Sequence, residues 1–173
     1  MNIDLPQGTN MNPGGKSAAL AQGGLSAKEF EKIVTDAFAL VPEKFSAKVQ
    51  NLALLVEDEP TAEMLQENNT PEGSTLLGLY RGIPQTERGD SYGIGATMPD
   101  TITLFKNPII RKAAHDSGVG ELVAWGELPT EPLKKYIRTI VRDTIWHEIA
   151  HHFGMDEFEI GEREATETNE FKP

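Results

Sequence analysis

The chain has 173 residues, enough for one domain with a real core and too few for two comfortable ones. Its 16 Lys and Arg stand against 27 Asp and Glu, a formal charge of -11 that repels phosphate backbones and argues against nucleic acid as a partner. It has no cysteine, which excludes disulfides, thiolate metal sites, iron–sulfur clusters and cysteine nucleophiles. Any transition-metal site must therefore be built from carboxylates and four histidines. The longest apolar runs, Ala37 to Val41 and Leu52 to Val56, fall far short of the ~20 residues that span a bilayer, so no membrane association is expected. The first residues lack a basic start followed by an apolar stretch, and the expected compartment is the cytoplasm.

Residues 1–25 are rich in Gly, Asn, Gln and Pro without apolar periodicity and read as a flexible tail. Asn12-Pro-Gly-Gly-Lys-Ser17 faintly suggests a phosphate-binding loop. No strand precedes it, however, and Asn10 stands where the first glycine is needed. Order is expected from Ser26, which has capping-box spacing to Glu29. Phe30, Ile33, Val34, Ala37, Phe38 and Val41 then repeat at helical intervals until Pro42. A short helical piece follows around Glu43 to Val49. Leu52 to Val56 reads as a buried strand stopped by Glu57-Asp58-Glu59-Pro60. A polar stretch with one helical turn leads to a second strand over Leu76 to Tyr80, in which Gly78 marks a bulge or a close backbone contact. Residues 82–100 are loop-rich, with a short strand near Tyr92 to Thr97. Thr101 to Phe105 forms a third strand, ended before Pro108, and a helix covers Ile109 to Asp116.

The most informative element runs from Thr130 and Pro132 to Phe153, with Gly154 as its C-terminal stop. At about 22 residues it spans ~33 Å. It contains His147-Glu148-Ile149-Ala150-His151, the H-E-x-x-H arrangement. Residues four apart sit one turn above each other, so both imidazoles can reach one ion. Glu148, about 100° around the helix, can reach a metal-bound water without being a ligand. Leu133, Tyr136, Ile137, Ile140 and Thr144 share the angular sector of His147 and His151, so the histidines continue the buried stripe. Burying two histidines and a glutamate is costly unless something engages them.

A third ligand is needed, and three carboxylates qualify. Glu157 stands six residues past His151, beyond Gly154, where a sharp turn swings the chain back to the ion. Asp156 is the second candidate and Glu170 the third; Glu157 is favoured. His152 lies off the ligand face and reads as a helix-end residue favoured by the dipole. His115 reads as a surface residue. Tyr80, Tyr136 and His115 are the candidates for stabilising a developing oxyanion.

These residues resemble the bacterial minimal zincin-like metallopeptidases. The likeness extends over approximately Phe30 to Ile160. It rests on Thr144-Ile-Trp-His-Glu-Ile-Ala-His-His-Phe-Gly-Met155, with lesser support from Thr75-Leu-Leu-Gly-Leu-Tyr-Arg-Gly82, Met98-Pro-Asp-Thr-Ile-Thr-Leu-Phe105 and the first helix. The resemblance implies an α+β fold in which a small mixed sheet packs on the N-terminal helix and the long active-site helix. It implies Zn2+ held by His147 and His151, with Glu148 as catalytic base. The family's third-ligand position usually carries Asp where this chain has Glu157. The expected organisation is a tail over 1–25, the zincin-like domain over 26–165 and an acidic tail over 166–173.

The leading functional expectation is a monomeric zinc peptidase acting on peptides or proteins, an extended substrate lying along the edge of the strand Thr101 to Phe105. The rival from another class is a non-catalytic metal-binding interaction module on the same scaffold. A third option is metal-assisted hydrolysis of a small non-peptide substrate.

Overall fold

The computed structural model describes residues 2–4, 25–49, 51–89, 98–118 and 131–165. Helix α1 (Ala27–Phe38) begins as its sequence predicts. The Ser26 hydroxyl accepts the Glu29 N–H at 3.2 Å, and the Ser26 N–H donates to Glu29 Oε2 at 3.0 Å. The Ser26 hydroxyl also donates to Glu29 Oε2 at 2.6 Å, and that bond, with the one from the Ser26 N–H, holds the Glu29 carboxyl below its ordinary range. A single turn, α2 (Glu43–Ser46), follows Pro42. Strand β2 (Leu52–Glu57) leads to α3 (Ala62–Glu67), whose first turn is capped by Thr61.

The predicted second strand is two strands. β3 (Ser74–Leu76) and β4 (Gly78–Arg81) are separated at Leu77 and belong to different sheets. β4 pairs antiparallel with β5 (Asp100–Phe105), Gly78 opposite Leu104 and Arg81 opposite Thr101. β5 pairs parallel with β2, Leu52 opposite Asp100 and Glu57 opposite Phe105. The order β2-β5-β4 makes β5 the central strand. This corrects the expectation that a peptide lies along Thr101 to Phe105, because both edges of that strand are already paired; β4 is the edge strand nearer the long helix. Among the described residues a second sheet consists of β3 and β1 (Asn2–Asp4), the latter a pairing that a flexible tail over 1–25 does not anticipate. The expected strand near Tyr92 to Thr97 lies outside the described residues.

Helix α4 (Lys106–Asp116) begins three residues earlier than predicted. Pro108 falls in its first turn, where the missing N–H has no intrahelical acceptor to lose. α5 (Glu131–His152) is the long helix, and α6 (Glu157–Ala165) follows four residues later. Among the described residues no helix is long and apolar enough to cross a membrane.

The core joins Phe30, Val34 and Ala37 of α1, Ile102 and Leu104 of β5, Ile109 and Ala113 of α4, and Leu133, Ile137, Val141, Ile145 and Ile149 of α5. Full burial of such side chains contributes roughly 1.5–3 kcal/mol each. On the other face of β5, Phe105 packs with Leu76 and Leu79 over Met64 and Leu65. Tyr136, expected in the buried sector, stays 42% exposed. The mixed sheet against α5 is the α+β arrangement expected from the sequence, and it places β4 beside the H-E-x-x-H turn of α5.

Candidate metal centre

The site is assembled by the way α5 ends. The Gly154 N–H donates to the His151 carbonyl at 2.9 Å and the Met155 N–H to the Ala150 carbonyl at 3.0 Å, the two bonds of a Schellman stop. Gly154 has φ +88°, in the left-handed region, and a Cβ there would also strike the Thr86 side chain. Only glycine meets both conditions. The chain then reverses into α6, which starts on a reciprocal cap: Asp156 Oδ1 accepts the Glu159 N–H at 2.8 Å, and Glu159 Oε2 accepts the Asp156 N–H at 3.0 Å. Asp156 is therefore spent on the helix start, and Glu157, the first residue of α6, is the carboxylate that comes back to the histidines.

His147 Nε2 lies 3.4 Å from Glu157 Oε2, and His151 Nε2 lies 3.4 Å from Glu157 Oε1. One ligand atom from each of the three residues falls within 4.8 Å of the others. Donors about 2.0–2.1 Å from a tetrahedral ion stand roughly 3.3–3.4 Å apart, so the spacing fits a metal. The orientation of the rings fits as well. His147 Nδ1 meets Glu164 Oε1 at 3.3 Å, and His151 Nδ1 meets the Met155 carbonyl at 3.0 Å. Both partners can only accept, so each Nδ1 carries the hydrogen and each Nε2 presents a lone pair. Glu157 and Glu164, seven residues apart, share one face of α6. His147 Nε2 is buried without a hydrogen-bond partner, an orphan that a bound cation would satisfy. Partial loss of solvent opposes ionisation of Glu157. The neighbouring imidazoles of His147 and His151 outweigh it and hold the carboxyl below its ordinary range.

Glu148 is 2% exposed and points to the other side of this group, towards β4. Its Oε2 accepts the backbone N–H of Tyr80 at 2.8 Å. Gly78 makes this approach possible, as a Cβ there would lie 2.6 Å from Thr144 Cγ2 and 2.9 Å from Glu148 Oε1. The close backbone contact read from Gly78 is thus the contact between β4 and Glu148. An open cleft of about 420 Å³ runs past these groups, lined by Leu76, Gly78, Leu79, Tyr80, Glu148, His151, Met155 and Glu157 among others.

Behind β4 lies a polar cluster that sequence reasoning missed. Asp100, 4% exposed, gathers on Oδ2 the Tyr80 hydroxyl at 2.8 Å, the Arg88 guanidinium and His152 Nδ1 at 3.1 Å. Gln85 Nε2 donates to His152 Nε2 at 3.2 Å, so Nδ1 holds the hydrogen of a neutral ring. Burial, reinforced by the charge of Arg88 and opposed by Asp100, pushes the His152 pKa below the ordinary imidazole range. Burial, then the hydrogen bond and charge of Asp100, pushes the Tyr80 hydroxyl well above the usual phenol range. The reading of His152 as a simple helix-end residue is corrected: it is fully buried and holds Asp100 and Gln85 together. Its one sequence-level signal was Gly82, whose Cβ would collide with Asp100.

Of the other candidates, His115 is 70% exposed and meets the neighbouring Asp116 carboxylate. Tyr136 is on the solvent side of α5 and does not line the cleft. Tyr80 lines the cleft, but its hydroxyl is engaged by Asp100. Glu170 lies outside the described residues.

A helix presenting two imidazoles and a glutamate, followed by a glycine turn that returns a carboxylate, beside the edge of a small mixed sheet, defines a zincin-like metal site. The family model for zincin-like metallopeptidases matches residues 49–125 and 131–166, a span that takes in the sheet, the cleft and both helices of the site. The chain belongs to that family. No curated protein matches it.

Proposed function

We propose that the protein is a zinc-dependent peptidase in which His147, His151 and Glu157 hold the metal and Glu148 is the general base. The observation that carries this reading is the orientation of the two rings: each Nδ1 is tied to an acceptor, and each Nε2 is turned to the same Glu157 carboxylate beside an open cleft. Zinc held there would supply Lewis acidity and lower the pKa of a water towards ~7. Glu148 would take one proton from an attacking water as the water's oxygen adds to the scissile carbonyl carbon. It then delivers the proton to the leaving nitrogen as the C–N bond breaks, giving a carboxylic acid and an amine; the acid's remaining proton passes to the amine, leaving a carboxylate and an ammonium. The Tyr80 N–H fixes Oε2 of the carboxylate, which leaves Oε1 for the water. The Asp100 cluster fixes Tyr80 and so the strand that carries this N–H. Leu76, Leu79 and Met155 give the cleft apolar wall for substrate side chains.

The test is metal content and cleavage of a mixed peptide library, wild type beside Glu148→Gln. The variant keeps size and hydrogen bonding but loses basicity. It should bind one zinc per chain, melt like the wild type, and cleave at least ~10²-fold more slowly. Equal rates would remove Glu148 from the mechanism. A zinc-loaded wild type that cleaves no member of the library would favour the non-catalytic binding module.

A further inference from the structure

β1 is three residues long and makes no part of the three-stranded sheet. It lies antiparallel on β3, with Asn2 opposite Leu76, Ile3 opposite Thr75 and Asp4 opposite Ser74. β3 passes through Leu77 directly into β4, and the two strands together furnish a wall of the cleft through Leu76, Gly78, Leu79 and Tyr80. The amino end of β1 is therefore the end nearer the cleft. An extended segment laid antiparallel on a strand edge is how sheets take up peptides, and the main-chain hydrogen bonds that hold it are indifferent to side-chain identity. The net worth of a few such bonds is close to the cost of ordering three residues, so a strand this short is displaceable. Residues 5–24 join it to Leu25, where the core begins, and a tether of that length keeps a released strand at high effective concentration.

We propose that the edge of β3 is a peptide-binding edge continuous with the cleft, and that β1 is its self-docked occupant, competing with extended peptides. This rests on the reading of the cleft as a peptide site. The competition is intramolecular: peptide reaches the full edge only in the fraction of molecules whose N-terminal strand is released.

The experiment compares the full chain with two variants, a deletion of residues 2–4 and Ile3→Pro, which keeps the length but removes a main-chain donor. The probe is a synthetic peptide of residues 2–8, fluorescently labelled at its C-terminus, and binding is read by anisotropy with and without zinc. Both variants should melt cooperatively like the full chain. Both should bind the probe more tightly, by about tenfold if β1 is docked nine-tenths of the time, and unlabelled peptide should displace it. For any peptide the protein cleaves, KM should fall by the same factor with kcat unchanged. Equal probe binding by all three proteins overturns the proposal, as does loss of cooperative melting in both variants, since a self-docked strand is dispensable. Tighter probe binding without cleavage of any peptide supports the edge and counts against the peptidase reading alone, so the two are separable.

Discussion

Glu164 is not itself among the proposed ligands, yet its contact with Nδ1 decides which nitrogen of His147 would face the metal. Loss of such an orienting partner typically weakens metal binding by about 10–100-fold. Glu164→Ala should show a loss of that size in zinc competition with a chelator, and Glu157→Ala a larger one. Asp156→Ala should leave zinc affinity close to wild type while removing the cap of α6, a cost of about 0.5–2 kcal/mol in thermal or denaturant unfolding. A zinc loss confined to Asp156→Ala would move the third ligand by one residue. Tyr80 makes a prediction in pH. Its folded pKa is raised above the ordinary value of 10.0, so its contribution to stability is fully present below pH 10 and is lost as pH rises through the folded value. Unfolding followed from pH 9 to 11.5 should show stability falling above pH 10, with a shallower alkaline slope in Tyr80→Phe.

Among the elements, the turn between α5 and α6 is the most constrained. Gly154→Ala would place a side chain at φ +88° and against Thr86. It should cost more than ~1 kcal/mol and lower zinc affinity together with stability, because the same turn aims Glu157. Gly78→Ala should behave differently. Its Cβ meets Glu148 and Thr144, so it should damage turnover more than metal binding. A Gly78→Ala protein with wild-type rates would show that the β4 contact does not hold the base. These elements were readable in the sequence to the extent that they are governed by local rules. Ser26 and Glu29 fixed the start of α1, and the spacing of His147, His151, Gly154 and Glu157 specified one helix, one stop and one return. Gly78 announced a close approach without naming its partner. The helix start at Lys106 was missed because Pro108 reads as a breaker until its place in the first turn is known. The position of β5 in the middle of the sheet was missed because strand order depends on pairings between distant residues. The Asp100 cluster was missed for the same reason: Gln85, Arg88, Asp100 and His152 have no common spacing, and only the folded chain gathers them.

For the molecule as a whole, the metal should act as a folding ligand. The three donors converge once α5 and α6 have formed and turned back on each other, an arrangement the unfolded chain lacks, and a ligand at 100 times its Kd adds about 2.7 kcal/mol of stability. Calorimetry should show the melting temperature rising with zinc and falling on chelation, and the shift should vanish in a His147→Ala/His151→Ala double variant. An unchanged melting temperature would mean that the histidines do not hold the ion. The charge of -11 favours capture of cations from solution, an effect that should weaken as salt is raised.

The exit turn of α5 has a consequence for the order of assembly. Every proposed ligand of the metal and every partner that orients one lies between His147 and Glu164, so capture of an ion there would close only short loops, and the entropy of closing them is small. The hydrogen bond that holds the proposed base instead joins Tyr80 to Glu148, 68 positions apart, and forms only when the sheet docks on the helix. On the proposed reading, metal affinity is a property of one helical hairpin of low contact order, whereas competence for hydrolysis belongs to the completed tertiary fold. During refolding with zinc present, a metal-dependent signal should precede recovery of activity. A chain arrested between the two would carry its ion and stay chemically silent.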